Sequence, residues 1–583
     1  MKNFKFFLPF AALGLLASCS NDNVVDPTPD PTPEATGDMY MTINVSLPTG
    51  AGTKVSQNGY EEGLESEYAV KDMTLYVFKM SSSGSTAEAD AQYMATIPVG
   101  FSNPIDKTSN PADVTGKYEA TFQISQTDWD LKANGEPNTA GTKYYGLLVV
   151  NKPKTSYTEP SGTISYNDWN KNVLVATQEN DAIDIVKPDG YFTMTNAPVV
   201  TKDGGNAIQI LVPIETKNFT TSPNQPSVPA ATFYVQRIVA KVMVGVGSVT
   251  LDGDKTVSSS SFGQIAVVHN SSDRVAVSAW GLDGTNNVTY AVQNVDDFTT
   301  WMGFDSPTTS YFTSLLANTN DPALYHFWWG KDPNYANAAG SEVNQYANSF
   351  NRIEASAVTL PTSGDENMAY CLENTMDAPL MIENQSTRVI FKATYLPGGT
   401  AWDANNNAGI IVFNDVAMVV KKTDLADPDY NIAGEVALNV LISETAETTI
   451  AGDPESTTMK SLEYYRNSLK MGNYTQNVIY YPNGETYYVA YIRHFDDTET
   501  PLTSSQKTDL TSVTYNPNQV GRYGVLRNNV YEVRLAAVNG FGSPTIPTPG
   551  NTPNDQEKPK NFNALVNINI LNWAKRGYDY IPH

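Results

Sequence analysis

Apolar and polar residues alternate at both ends of this chain. Near the front, Met39, Met41, Ile43, Val45 and Leu47 share one face of an extended segment, and Tyr40, Thr42, Asn44 and Ser46 share the other. That period of two predicts a half-buried strand, about 30 Å long at ~3.3 Å per residue. Near the end, Val566, Ile568 and Ile570 alternate with Asn567, Asn569 and Leu571, which predicts a second strand of the same kind. Between them, runs rich in β-branched and aromatic residues predict strands at 73–78, 118–124, 144–150, 192–195, 208–214, 233–244, 265–269, 389–395, 410–413, 486–492 and 529–535. The 144–150 run is nearly all apolar, as a central strand is. Long amphipathic helical patterns are scarce, and short helices are expected at 296–301 and 459–468. A Pro/Ser-rich break at 222–229 predicts a domain boundary. The expectation is an all-β protein of two tandem β-sandwich domains with few short helices, one over 39–228 and one over 229–541.

A chain of 583 residues that is 40% hydrophobic is long and apolar enough for two to four packed domains. The 33 tyrosines fit a β-rich fold. A net charge of −25 argues against a nucleic-acid partner or an anionic membrane surface, because phosphates need basic patches. It is compatible with a soluble surface outside the cell.

The two termini carry the processing signals. Lys2 and Lys5 precede an apolar run from Phe6 to Ala17, too short for an ordinary membrane span and typical of a leader over 1–18. Leu16-Ala17-Ser18-Cys19 looks like a bacterial lipobox, which implies cleavage before Cys19 and acylation of its thiol. Lipid there ties the mature front end to a membrane. Residues 19–38 contain DPTPDPTPE, an extended, solvated linker. After the first strand, Pro48-Thr49-Gly50-Ala51-Gly52-Thr53-Lys54 is suited to proteolysis. Lys54 is the sole basic residue between Lys5 and Lys71, so a trypsin-like protease has one target there. A cut at Lys54 detaches the 39–47 strand and opens a sheet edge. The Pro-rich spacer 542–563 is expected to hold the final strand, within 564–583, away from its own domain. That strand either folds back into its own sheet or seats in a groove on another molecule.

Burying Met39, Met41, Ile43, Val45 and Leu47 at ~1.5–3 kcal/mol each supplies roughly 8–15 kcal/mol, an upper bound. Val566, Ile568, Ile570 and Leu571 supply about 6–12 kcal/mol on the same scale. The two ends are therefore comparable competitors for one place in a sheet.

Catalytic signatures are lacking. The four histidines, His269, His326, His494 and His583, fall in no H-E-x-x-H motif, and neither G-x-S-x-G nor a phosphate loop is present. No cofactor or metal is expected, and the chain reads as a non-enzyme. Asp427-Pro428-Asp429-Tyr430-Asn431 begins like a calcium loop, but Ile432 and Leu438 stand where glycine and glutamate are required. His494 beside Asp496 and Asp497 reads as a solvated strand end rather than a metal site. Trp328-Trp329 offers a sugar-stacking platform, although core packing is the commoner role. With Cys19 acylated, Cys371 has no disulfide partner and reads as a small buried hydrophobe.

Several segments together carry a family resemblance: the lipobox and first strand ending Ser46-Leu47-Pro48, Lys71-Asp72-Met73-Thr74-Leu75-Tyr76-Val77, the 144–153 strand, and Met194-Thr195-Asn196-Ala197-Pro198-Val199-Val200. So do Gln236-Arg237-Ile238-Val239-Ala240-Lys241-Val242, Arg527-Asn528-Asn529-Val530-Tyr531-Glu532-Val533, Gly540-Phe541-Gly542-Ser543-Pro544, and the final strand with Trp573. In these the chain resembles the fimbrillins of Bacteroidales type V pili, most of all the shaft subunit of Porphyromonas minor fimbriae. Residues 270–367 match little. The resemblance implies transthyretin-like, Greek-key sandwiches and an inter-domain strand at 236–242. It also implies export as a lipoprotein to the outer membrane, removal of lipid, linker and first strand by a trypsin-like protease, and polymerisation into an extracellular fimbrium. There the C-terminal strand of a neighbouring subunit fills the vacated groove. The implied partners are other fimbrial subunits, accessory subunits included, the protease, and a host protein or glycan receptor. Family members are usually cut after arginine, whereas the matching position here is Lys54. The alternative reading is a surface lipoprotein that binds glycan or host protein and never polymerises.

Overall fold

The computed structural model describes residues 38–48, 67, 69–81, 88–101, 115–153, 157–175, 191–201, 208–222, 230–246, 264–295, 312–315, 324–335, 350–353, 358, 368–413, 416–425, 478–508, 514–550, 557, 564–572 and 579–580. Cys19, Lys54, the 427–438 loop and both expected helices lie outside them. The fold is predominantly β. Its α-helices among the described residues are the short Tyr166–Asn170, Lys422–Leu425 and Ser504–Thr508. The first of these starts where the Ser165 hydroxyl accepts from the Asp168 amide at 3.1 Å, an N-cap.

The leading part forms a nine-stranded sheet. Its main path runs Phe219–Thr220, Asp38–Pro48, Ala231–Arg237, Met194–Asn196, Lys143–Val150, Met73–Met80, Gln92–Pro98. Thr115–Ser125 pairs with Asp38–Pro48, and Val212–Ile214 with Lys143–Val150. Lys143–Val150 is central, as its unbroken apolar sequence predicts; everything from Tyr144 to Val150 is buried. The expected 208–214 strand is two short ones, Ile208–Gln209 and Val212–Ile214, separated where Ile210 and Leu211 turn inward.

The trailing part is built on two larger sheets. One orders Met368–Leu372, Val239–Val246, Asn529–Val538, Ala564–Asn572 and Asp579–Tyr580. The other orders Gln264–Ala266, Arg274–Asp283, Arg388–Leu396 and Glu485–Tyr491. Val242, Val244, Tyr531, Val533 and Leu535 from the first share one core with Val275, Val277, Phe391, Tyr395 and Tyr488 from the second. These aliphatic and aromatic side chains come from the facing sides of the two sheets, which pack on one another.

The 233–244 run is not one strand. Ala231–Arg237 belongs to the leading sheet and Val239–Val246 to the trailing one, so the chain changes sheets at Ile238. The Pro/Ser-rich break at 222–229 connects Phe219–Thr220 to Ala231–Arg237, both members of the leading sheet. A Pro-rich stretch between two strands of one sheet reads in sequence like one between domains. The crossing at Ile238 is fastened by buried charge: Lys241 Nζ lies 3.0 Å from Glu67 Oε1, and Arg237 Nε donates to the Glu67 carbonyl at 2.7 Å. Tyr370 donates to the same carboxylate at 2.5 Å, and Arg237 donates to the Asn528 side chain at 3.2 Å. Burial alone raises the Glu67 carboxyl, but Lys241 and Arg237 hold it below its ordinary range. Burial pulls Arg237 down to about 10 against the opposing pull of Glu67.

Candidate functional site

The leading strand Asp38–Pro48 occupies a slot with partners on both edges. On one edge it pairs antiparallel with Thr115–Ser125 along its whole length, Asp38 opposite Ser125 and Pro48 opposite Thr115. On the other edge Tyr40 and Met41 face Thr220 and Phe219, and Ile43 to Ser46 run parallel to Ala231 to Tyr234. Among the described residues Thr115–Ser125 has the leading strand as its one ladder partner. Lifting out Asp38–Pro48 therefore leaves a groove with unpaired amides and carbonyls on both walls. The face that the strand turns into the groove is apolar: Met39, Met41, Ile43 and Val45 are all buried. For Leu47 the backbone pairing with Gly116 is described and the side chain is not. On the opposite face the Thr42 hydroxyl lies 2.9 Å from that of Thr121. Gly135, at φ +83°, closes one end of the floor; a Cβ there would stand 3.0 Å from the Phe219 Cβ and 3.4 Å from Met39 Cε.

The tail strand Ala564–Asn572 lies antiparallel to Asn529–Val538 of its own chain. Val566, Ile568 and Ile570 stand opposite Leu535, Val533 and Tyr531, and Leu571 opposite Val530. Of the two sequence readings of this strand, the return to its own sheet is the arrangement seen in the single chain.

The spacer does not hold the tail away from the body. Its first part is laid against the trailing sheets. Tyr488 and Tyr481 donate to the carbonyls of Gly540 and Gly542, each at 2.8 Å, and the Phe541 ring stacks on Tyr395 with centroids 3.6 Å apart. Ser543 and Tyr487 exchange two backbone bonds, at 2.8 and 2.9 Å. Arg388, itself paired with Asp283 at 2.7 Å, donates to the Pro547 carbonyl at 2.7 Å. The Gly550 amide donates to Glu383 at 2.8 Å. Farther on, the Glu557 carboxylate accepts from Arg522 Nε at 2.5 Å, Tyr523 at 2.9 Å and Tyr515 at 3.1 Å. Burial raises that carboxyl, but Arg522 and Arg493 bring it below its ordinary range. Sequence reasoning missed this set because proline content signals stiffness, whereas docking depends on tyrosines and arginines elsewhere in the chain.

The remaining candidates resolve as core. Trp328 and Trp329 are both buried in the main apolar cluster, with Trp329 near Phe312 and Phe495, so neither forms an exposed platform. His494 is not a solvated strand end: it is 5% exposed, and its Nδ1 lies 2.8 Å from the Tyr531 hydroxyl. Asp497 is engaged by Arg493 at 2.8 Å and Arg522 at 2.5 Å. Cys371 is buried, and burial pushes its thiol up to about 12, which makes it a poor nucleophile. Among the described residues no group of three or more His, Cys, Asp or Glu is placed to hold a metal ion. No helix among them is long and apolar enough to cross a membrane.

Residues 479–579, which include the strands flanking the spacer and the tail strand itself, match the family model described as major fimbrial subunit protein type IV, fimbrillin, C-terminal. No curated protein matches the chain. Among solved structures, a putative cell adhesion protein from Parabacteroides distasonis is similar at 11% identity and TM-score 0.33, over 92% of this chain and 100% of that one. A fimbrilin from Porphyromonas gingivalis aligns at 13% identity and TM-score 0.31, over 91% and 96%. The tip fimbrial protein Mfa3 of the same species, with a C-terminal truncation, aligns at 10% identity and TM-score 0.30, over 92% and 100%. These comparisons include a tip protein as well as a fimbrilin and do not single out a minor-fimbria shaft subunit.

Proposed function

We propose that this chain is a structural, non-catalytic subunit of surface fimbriae that polymerises by exchanging terminal strands, in support of adhesion. The observation that carries the proposal is the position of Asp38–Pro48 between walls that do not pair with each other. A strand so placed can be excised and replaced by another of like pattern without rebuilding either wall. The match of residues 479–579 to the C-terminal part of fimbrillin supports the same reading. In it, the precursor is a lipoprotein acylated at Cys19 and held at the outer membrane, a trypsin-like protease cuts at Lys54, and Met39, Met41, Ile43, Val45 and Leu47 depart. Val566, Ile568, Ile570 and Leu571 of the next copy then enter the groove. A contact of this head-to-tail kind does not close on itself and so builds a filament. In this reading the nine-stranded leading sheet and the two trailing sheets belong to the tandem sandwiches of such a subunit, with Ile238 at their junction.

The pairing of the tail with Asn529–Val538 of its own chain favours a second reading, a lipoprotein that keeps both strands and never polymerises. N-terminal sequencing of protein recovered from cells separates the two. A start at Val55 supports the fimbrial subunit, and an acylated Cys19 in all surface material sinks it. Electron microscopy of protein lacking residues 561–583 adds a second arm: the subunit reading expects folded monomers and no filament growth.

A further inference from the structure

The tail strand and the spacer before it are held by different kinds of contact. The tail is joined to Asn529–Val538 by a backbone ladder, which any open edge of like length replaces. The spacer makes one short backbone bridge, Ser543 to Tyr487, and is otherwise held mainly by side-chain contacts with no such substitute. Glu557 meets Arg522, Tyr515 and Tyr523, and Arg522 also donates to the Thr500 carbonyl at 2.7 Å. Arg522 bonds both Asp497 and Glu557, while Arg493 bonds Asp497 and acts on Glu557 through its charge. Withdrawing Glu557 leaves two guanidinium groups on one carboxylate and strips two tyrosine hydroxyls of their acceptor. Arg522 is 1% exposed with the spacer docked, so its ion pair with Glu557 is a buried one, costly to break by removing one partner.

We infer that Glu557 is a positioning residue for assembly: it keeps the spacer docked on its own subunit while the strand beyond it changes partner. The inference rests on the strand-exchange reading above. Ala564 lies seven residues beyond Glu557, at most about 25 Å of fully extended chain. The donated strand therefore starts within that radius of a fixed point on the donor, and the subunit repeat along the polymer is set by the anchor rather than by the whole spacer.

Two double-cysteine locks test this with the full chain, processed by a trypsin-like protease. Tyr487→Cys with Ser543→Cys joins the spacer to the body across the existing two-bond bridge. Glu532→Cys with Asn569→Cys joins the tail to its own sheet at opposed positions. The oxidised spacer lock is expected to polymerise within about twofold of its reduced form, and the oxidised tail lock to lose polymer about tenfold or more until reduced. Assembly blocked by the spacer lock and restored by reduction overturns the anchor alone. Assembly by the oxidised tail lock overturns strand exchange itself, so the two failures are distinguishable. Because Tyr487 is buried, hydrogen exchange of the unmodified protein provides a second measure. The Ser543 amide is expected to be equally protected in monomer and polymer, and about a tenfold loss in the polymer overturns the anchor. Glu557→Ala is expected to broaden the subunit repeat seen by electron microscopy. An unchanged repeat with a lowered melting temperature makes the carboxylate merely structural and overturns its positioning role.

Discussion

Met41 stands opposite Phe122 on one wall of the groove and Phe219 on the other, and it is fully buried. Met41→Ala is expected to destabilise the unprocessed protein by about 2–5 kcal/mol in denaturant unfolding. Protein cut at Lys54 lacks the residue and is expected to unfold as the processed wild type does. Glu88 offers a test of a different sort. Its carboxylate accepts from the amides of Ile210 at 3.0 Å and Leu211 at 2.5 Å, yet burial raises it from 4.5 to about 7. A raised carboxyl favours the folded state most when protonated, so its contribution is complete below pH ~4 and is lost as pH rises through about 7. The loss is about 3 kcal/mol, and Glu88→Gln, which keeps an acceptor but cannot ionise, is expected to remove that slope between pH 4.5 and 8. Thermal melting at a series of pH values reads it directly. At this scale the sequence was partly legible. The alternation of Met39, Met41, Ile43 and Val45 shows which side chains are buried, because one face of a strand is all the pattern has to encode. The partners of Glu67, Glu88 and Glu557 were not legible, since each is met by residues brought from distant segments.

The leading strand is paired on both edges, and in the proposed function a cut at Lys54 releases it. Lys54→Gln is expected to leave the fold and melting temperature of the precursor unchanged while abolishing the start at Val55. Mass spectrometry of protease-treated protein checks this, and cleavage at an unaltered rate would move the processing site elsewhere. Strands were the most legible elements: the 144–150 and 389–395 runs lie inside Lys143–Val150 and Arg388–Leu396. The 233–244 run was misread as one strand because β-branched and aromatic residues lie on both sides of Gln236-Arg237-Ile238, where the chain leaves one sheet for the other. Hydrophobicity marks burial and does not say in which sheet. The spacer was misread for the converse reason: its polar, Pro-rich sequence hides the tyrosine and arginine donors that dock it.

Across the whole molecule, the two strands proposed to exchange lie in different sheets. The slot of Asp38–Pro48 belongs to the leading part, while Ala564–Asn572 extends the trailing one. The buried contacts among Glu67, Arg237, Lys241, Tyr370 and Asn528 join the two parts at Ile238, so the groove and the donor base are carried on one connected body. In the proposed function, a tail leaving its own sheet and a groove emptied of its strand are the two halves of one head-to-tail joint. Processed protein carrying Thr121→Cys on the groove wall can be mixed with an isotopically heavy copy carrying Asn567→Cys or Asn569→Cys on the tail, and the disulfides read by mass spectrometry. The account predicts light–heavy links between the tail of one copy and Thr115–Ser125 of another, appearing after cleavage at Lys54 and absent before it. Tails that stay on Asn529–Val538 of their own chain, with no light–heavy link in cleaved protein at any concentration, contradict it.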